Sequence, residues 1–166
     1  MDGATLKAQH GLTSYVIQKN VEGISHEESL KQPPAGNCAN WVLGHIVSAR
    51  NTALGLVGQQ PLAPPEKFAA YGNEPITGDS DALPWNELVE LFQRTQAPFE
   101  AGLSSLSAAT MRQPAPFSPR GNPDETVGSL LAALSFHEAY HAGQLGLLRR
   151  LNGYEGVLKG PETAKA

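Results

Sequence analysis

Apolar residues recur at alternating spacings of three and four in four stretches of helical length, and almost nowhere alternate as a strand requires. The first stretch, about residues 4 to 22, carries Leu6, Thr13, Val16, Ile17 and Val21 on one face and stops at Gly23. The second opens at Asn37, a residue type suited to an N-cap, and runs to about Gly58; its stripe is Cys38, Trp41, Val42, His45, Ala49, Thr52 and Leu56. A third begins near Pro84 and presents Trp85, Leu88, Phe92, Thr95, Phe99, Leu103 and Leu106. Pro98 lies inside it and should kink it, because proline removes a backbone donor and crowds the preceding turn. With no ligand-type side chain on its face, this helix should serve as a wall of the core. The fourth is expected to start at Asn122-Pro123-Asp124-Glu125, a cap, a first-turn proline and two acids that suit the helix dipole, and to end at Leu151 before Gly153. Its buried stripe reads Val127, Leu130, Leu134, His137, His141, Gln144, Leu148 and Leu151.

The connections refine this all-α picture. Ser25 to Glu28 has capping-box spacing and should open a single turn ending near Leu30, after which Pro33-Pro34 forbids further helix. Residues 59 to 83 form a long stretch without clear period, in which Phe68 and Tyr71 offer something to pack. An ordered crossover of this length would let the second and third helices run parallel, where a short loop would force them antiparallel. Residues 108 to 122 read as a second irregular connector. The organisation expected is one domain over residues 1–153 and a C-terminal tail, 154–166, that frays or lies loosely on the surface.

Composition narrows the function classes. With 166 residues the chain can bury a continuous core, and 17% charged against 40% hydrophobic residues suits a globular protein. A net charge of -4 and a pI near 5.7 leave no basic footprint for nucleic acid or an anionic membrane surface, so neither is an expected partner. The single cysteine, Cys38, allows no internal disulfide and is read as a small core residue. Together with an N-terminus that lacks a signal pattern, this leads to the expectation of a cytoplasmic protein.

The chemistry is concentrated in the fourth stretch. His137, His141 and Gln144 occupy core positions, and a buried polar group without a partner costs roughly 1 to 3 kcal/mol. Residues four apart lie one above the other on a helix, so His137 and His141 can offer nitrogens to one ion. His45 lies in the middle of the second stripe, and three neutral imidazoles are the protein share of an open zinc-type site. His10 is expected to be half-exposed and His26 solvated. His137-Glu138-Ala139-Tyr140-His141 also spells the H-E-x-x-H of metalloproteases, but no third ligand follows in a suitable context and no sheet is available to line a peptide cleft. Glu138 is therefore read as a boundary residue facing solvent, with an approach to the ion or orientation of a ligand as the alternative. Gln144 is read as an interhelical hydrogen-bond partner, with holding a ligand or orienting an imidazole as the alternative. Gly44 and Gly143 are expected to let helices approach closely beside the site.

Asn40-Trp41-Val42-Leu43-Gly44-His45-Ile46, followed far downstream by His137-Glu138-Ala139-Tyr140-His141-Ala142-Gly143-Gln144-Leu145, resembles the DinB/YfiT-like metal-binding proteins. The first motif is W-x-x-G-H-I and the second H-x-x-x-H-x-G-Q; their order, separation and flanking helices agree with that family over nearly the whole chain to Gly153. The resemblance implies a four-helix bundle, commonly a homodimer, with one divalent metal held by histidines matching His45, His137 and His141. Members of known chemistry include thiol-dependent S-transferases and a thiol-dependent isomerase. A coordinating thiol is deprotonated and the thiolate is the nucleophile, so the leading expectation is a metal-dependent enzyme that transfers a small-molecule thiol co-substrate to a small electrophile. The alternatives are a metal-dependent hydrolase and a non-catalytic metal-binding dimeric module. Zinc, nickel, iron and manganese are all chemically admissible, zinc or nickel first.

Overall fold

The computed structural model describes residues 2–76 and 81–158; the parts of the expected crossover at 77–80 and of the tail at 159–166 lie outside it. Six α-helices follow in order: α1 (Gly3–Val21), α2 (His26–Leu30), α3 (Ala39–Leu56), α4 (Trp85–Ser105), α5 (Ala108–Met111) and α6 (Val127–Leu151). A 3-10 segment, Pro65–Tyr71, interrupts the long connection between α3 and α4. The four long helices form the bundle, with α1 and α3 each packed against both α4 and α6.

The crossover has the predicted consequence. Asn40 of α3 reaches the carbonyl of Leu83 just before α4, Arg50 reaches Thr95 and Gln96, and Val57 abuts Gly102. Sequence number therefore rises in the same direction along both helices, and α3 and α4 run parallel. By the same reasoning α1 and α6 are parallel, since His10 meets Glu138 and Asn20 meets the carbonyl of Ala142.

Local chemistry sets the helix ends, and in two places it moves them from the expected positions. Asp2 caps α1 by accepting from the Thr5 amide at 2.8 Å, and Ser25 with Glu28 completes the expected capping box of α2. In α3 Cys38, not Asn37, is the N-cap residue, and no side chain caps the helix there. The start of α6 also lies later than Asn122. Ala115 donates to the Glu125 carbonyl (2.8 Å) and Val127 to that of Gln113 (2.9 Å), which holds the chain extended as far as Thr126. Thr126 and Ser129 then form the capping box, while Asn122 accepts from the Asp124 amide in a local turn. Helix α4 continues through Pro98 to Ser105. Part of the connector read as irregular, near residues 108 to 111, is helical as α5.

The tail does not begin loosely. Gly153, at φ 87°, ends α6 in a left-handed turn, and Tyr154 then donates its hydroxyl to the Gly23 carbonyl (2.7 Å) while Arg149 stacks on its ring at 4.7 Å.

The buried apolar side chains fall into two groups, one around Trp41, Tyr71, Trp85 and Phe92, the other around Leu6, Leu54, Phe99 and Leu131. Between them every long helix contributes polar residues: His10 and Ser14 from α1, Arg50 from α3, Thr95 from α4, Glu138 and His141 from α6. The bundle thus has a polar layer across its middle, to which all four long helices contribute.

The crossover is fastened onto the first half of α3. The Trp41 indole donates to the Glu74 carbonyl (2.7 Å), and the Tyr71 hydroxyl donates to Asn40 (2.9 Å) while accepting the Leu83 amide (2.6 Å). The ring of Tyr71 occupies the space a Cβ at residue 44 would need, so Gly44 admits the 3-10 segment as expected of a close approach. Gly143 is different: among the described residues no neighbour lies within 4 Å of the corresponding position, so it does not admit a close helix approach as expected. Gly44→Ala should destabilise the fold by about 1–3 kcal/mol, the usual cost of overpacking, seen as a lower urea midpoint. An unchanged midpoint would show that Tyr71 does not pack against α3 as described.

Candidate metal centre

Three imidazoles meet at the wall of the polar layer. His45 comes from the middle of α3, and His137 and His141 from successive turns of α6. Nε2 of His137 lies 2.9 Å from Nε2 of His45 and 3.1 Å from Nε2 of His141. All three candidate ligand atoms fall within 4.8 Å of one another, and no other group of histidine, cysteine or acidic residues among the described ones is so arranged. His141 is buried, while His45 and His137 are only half-buried, so the centre is not sealed from solvent.

The outer nitrogens fix which atoms face inward. Nδ1 of His45 lies 2.8 Å from the Tyr71 carbonyl, which can only accept, so this nitrogen carries the ring proton and Nε2 keeps its lone pair. Nδ1 of His141 donates to Oε1 of Gln144 at 2.7 Å, with the same result. Gln144 therefore acts within its own helix, orienting an imidazole, rather than as the interhelical partner expected. His137 can donate a single Nε2 proton to only one of its two neighbours, so at least one of these close contacts is left without a hydrogen bond. A cation at the centre would instead be shared by the lone pairs of all three nitrogens. Tetrahedral coordination at about 2.0–2.1 Å would separate nitrogens by about 3.3 Å, close to what is found. The residues present thus fit a divalent ion, and the crossover and Gln144 supply the outer hydrogen bonds that usually hold ligand rings in place. Trp41 adds a stacked face to His45, with centroids 4.7 Å apart.

Behind this centre lies a group the residue pattern did not reveal. Arg50 is 2% exposed, and its five N–H donors are all engaged. Nε and Nη2 form a fork onto the carboxylate of Glu138, each at 2.6 Å; Nη2 also reaches Ser14, and Nη1 reaches Thr95 and Gln96. One guanidinium therefore joins all four long helices. Its face also lies over the Phe92 ring, 4.0 Å from the centroid. Glu138 is consequently not the solvent-facing boundary residue expected; it is 6% exposed, turned toward Arg50, and both oxygens are occupied. That engagement also removes it from the general-base role a metalloprotease would require. His10 is likewise buried rather than half-exposed, with Nδ1 3.6 Å from Glu138 and its ring against Phe99. His26 is not simply solvated, since it accepts the Trp85 amide at 3.2 Å. Cys38 is buried as expected, and burial pushes its thiol pKa up. A signal for Arg50 was present: Val42, Ile46, Arg50, Ala53 and Val57 form a second apolar face of the same helix, with one charge at its centre.

Burial lowers the pKa of His10 and of His137 to about 4, helped for His10 by Arg50 and for His137 by the other two imidazoles; His141 is shifted down for the same primary reason. A histidine whose folded pKa lies below the ordinary 6.5 binds fewer protons folded than unfolded. The metal-free protein should therefore lose stability as pH falls from about 6.5 to about 4, measured by urea unfolding across that range. Stability that is flat or rises on acidification would contradict the burial of these rings. Arg50→Met should cost about 3–5 kcal/mol because Glu138 is left buried and unpaired, and the double variant Arg50→Met/Glu138→Leu should recover most of that loss. A double variant whose loss equals the sum of the losses in Arg50→Met and Glu138→Leu would show that the pair is not coupled.

A search of curated proteins finds no match. Among solved structures, a crystal structure described as the conserved protein of a locus from Enterococcus faecalis aligns with a TM-score of 0.70 at 16% identity, over 91% of this chain and 97% of that one. At that identity the likeness concerns the fold alone. The family model of the DinB superfamily matches residues 13–145, which include His45, His137 and His141. The chain belongs to the DinB superfamily.

Proposed function

We propose that His45, His137 and His141 hold one divalent metal ion through Nε2, and that the protein is a metal-dependent transferase acting on a small-molecule thiol. The observation that carries this reading is the convergence of three Nε2 atoms, two with their outer nitrogens already committed, with no fourth histidine, cysteine or acidic side chain joining the group among the described residues. Three neutral ligands leave an ion its full charge and an open position, the arrangement of catalytic rather than structural zinc sites. An ion so placed would supply Lewis acidity that lowers the pKa of an entering thiol and favours the thiolate. The protein's own share is to orient the imidazoles and favour the neutral form of two of them: burial lowers the pKa of His137 and of His141, while the Tyr71 carbonyl and Gln144 fix the rings of His45 and His141. Zinc or nickel suits the all-imidazole donor set best, with iron and manganese as further candidates.

The resemblance to dimeric bundles has a physical counterpart on the outer face of α6. Phe136, Tyr140, Leu147 and Leu151 are 70%, 58%, 60% and 58% exposed and lie along one side of that helix, so Leu151 is not part of the buried stripe on which it was expected. We place the contact with a second copy of this chain on that stripe, adjacent to the metal centre through Tyr140, whose ring lies 5.3 Å from that of His141.

Metal analysis of the purified protein and of His141→Ala, followed by a screen of small thiols with electrophiles, tests the reading. Expected are about one ion per chain in the parent, strongly reduced content in the variant, and S-transfer that disappears with the metal. A parent that takes up neither zinc nor nickel contradicts the site itself. Retained metal without thiol turnover contradicts the transferase and moves the function to hydrolysis or to a non-catalytic module.

A further inference from the structure

A small cavity lies on the inner side of the metal centre, between α1, α3, α4 and α6. Its walls are mostly apolar, with Leu6, Ile46, Phe99 and Leu131 among them, and His137 forms part of its lining. Two polar groups in this lining have no hydrogen-bond partner. Nε2 of His10 is one and Oγ of Ser135 is the other; both atoms are fully buried. His10 itself is 4% exposed, and its Nδ1 edge faces Glu138, which leaves Nε2 as the free edge of the ring.

Two buried polar atoms in one lining would cost roughly 1–3 kcal/mol each if nothing satisfied them. With Nδ1 turned to a carboxylate, the ring proton of His10 belongs there, and Nε2 is an acceptor. Burial favours the neutral ring, consistent with its pKa of about 4. The serine hydroxyl can donate or accept. The matching ligand is therefore a neutral molecule with an O–H donor and an acceptor. Size narrows the class: the cavity holds about 20 Å³, room for about one water. Charged ligands are disfavoured because Arg50 and Glu138, the nearby ions, already neutralise each other.

The third wall gives this site a role. Nδ1 of His45 and of His141 each have a protein acceptor, whereas Nδ1 of His137 has none among the described residues; its only hydrogen-bond contacts are through Nε2. Metal-binding histidines nearly always place the outer nitrogen against a carboxylate, a carbonyl or water. We propose that this cavity is a binding site for one neutral hydroxylic molecule, water in the purified protein, held by His10 and Ser135 and serving as the outer partner that steadies His137. His10 and Ser135 are thus positioning residues, and the part concerning His137 rests on the metal reading above.

A high-resolution crystal structure of the parent and of Ser135→Ala and His10→Phe, with zinc affinities measured by chelator competition, tests the assignment. Expected in the parent is a full-occupancy solvent peak within hydrogen-bond distance of both His10 Nε2 and Ser135 Oγ, lost or displaced in each variant. Zinc affinity should fall by about tenfold or more, as for other outer partners of ligand histidines. A dry cavity in the parent overturns the site, and unchanged zinc affinity in a folded variant that has lost the peak overturns its role. Should His10→Phe fail to fold, Ser135→Ala alone decides both points. A parent that shows the peak but binds no zinc supports the cavity site and contradicts the metal reading instead.

Discussion

The guanidinium of Arg50 is the constraint on which the arrangement depends. A buried cation is tolerable only when its donors are satisfied, and here the five are met by side chains from the other three long helices. Hydrophobic contacts would let these helices slide or rotate at modest cost; a forked pair at 2.6 Å does not. Because Arg50 lies just over one turn beyond His45, and Glu138 is the residue after His137, the same fork that fixes α3 against α6 also fixes the two sources of imidazole. Register and site geometry are thus set together.

Such a layer costs stability that a purely apolar core would not lose, since desolvating a charge pair can outweigh its attraction. The bundle limits the loss by confining polar groups to one level, with apolar packing above and below. At the edge of that level the crossover completes the site. Its Tyr71 ring fits over Gly44, its Tyr71 carbonyl takes the His45 proton, and its Glu74 carbonyl holds Trp41, which stacks on His45. A segment without regular period in the sequence therefore does much to determine how one imidazole is presented.

Much of this was legible from residue spacing. The four long helices follow from apolar periodicity, and the parallel course of α3 and α4 from the length of their connection. His45, His137 and His141 were identifiable because polar rings on apolar stripes need a partner. What spacing could not supply was the second coordinate, the pairing of faces between helices. Glu138 looked like a boundary residue because its neighbours on α6 give no hint that Arg50 stands opposite. The burial of His10 is hidden from spacing for the same reason, since its environment is built by Phe99 and Glu138, far away in sequence. The shifted start of α6 reflects a competing interaction: the backbone bonds of Ala115 and Val127 hold residues 125 and 126 extended, which overrides the capping preference of Asn122.

The most direct test of the convergence is the ligand environment of the ion itself, from a crystal structure of zinc-loaded protein supported by absorption spectroscopy at the zinc edge. The account predicts one ion bound by Nε2 of His45, His137 and His141 at about 2.0–2.1 Å, with the remaining position open to solvent or thiol. Zinc bound through Nδ1, bound by only one of the two helices, or found elsewhere on the molecule would contradict it.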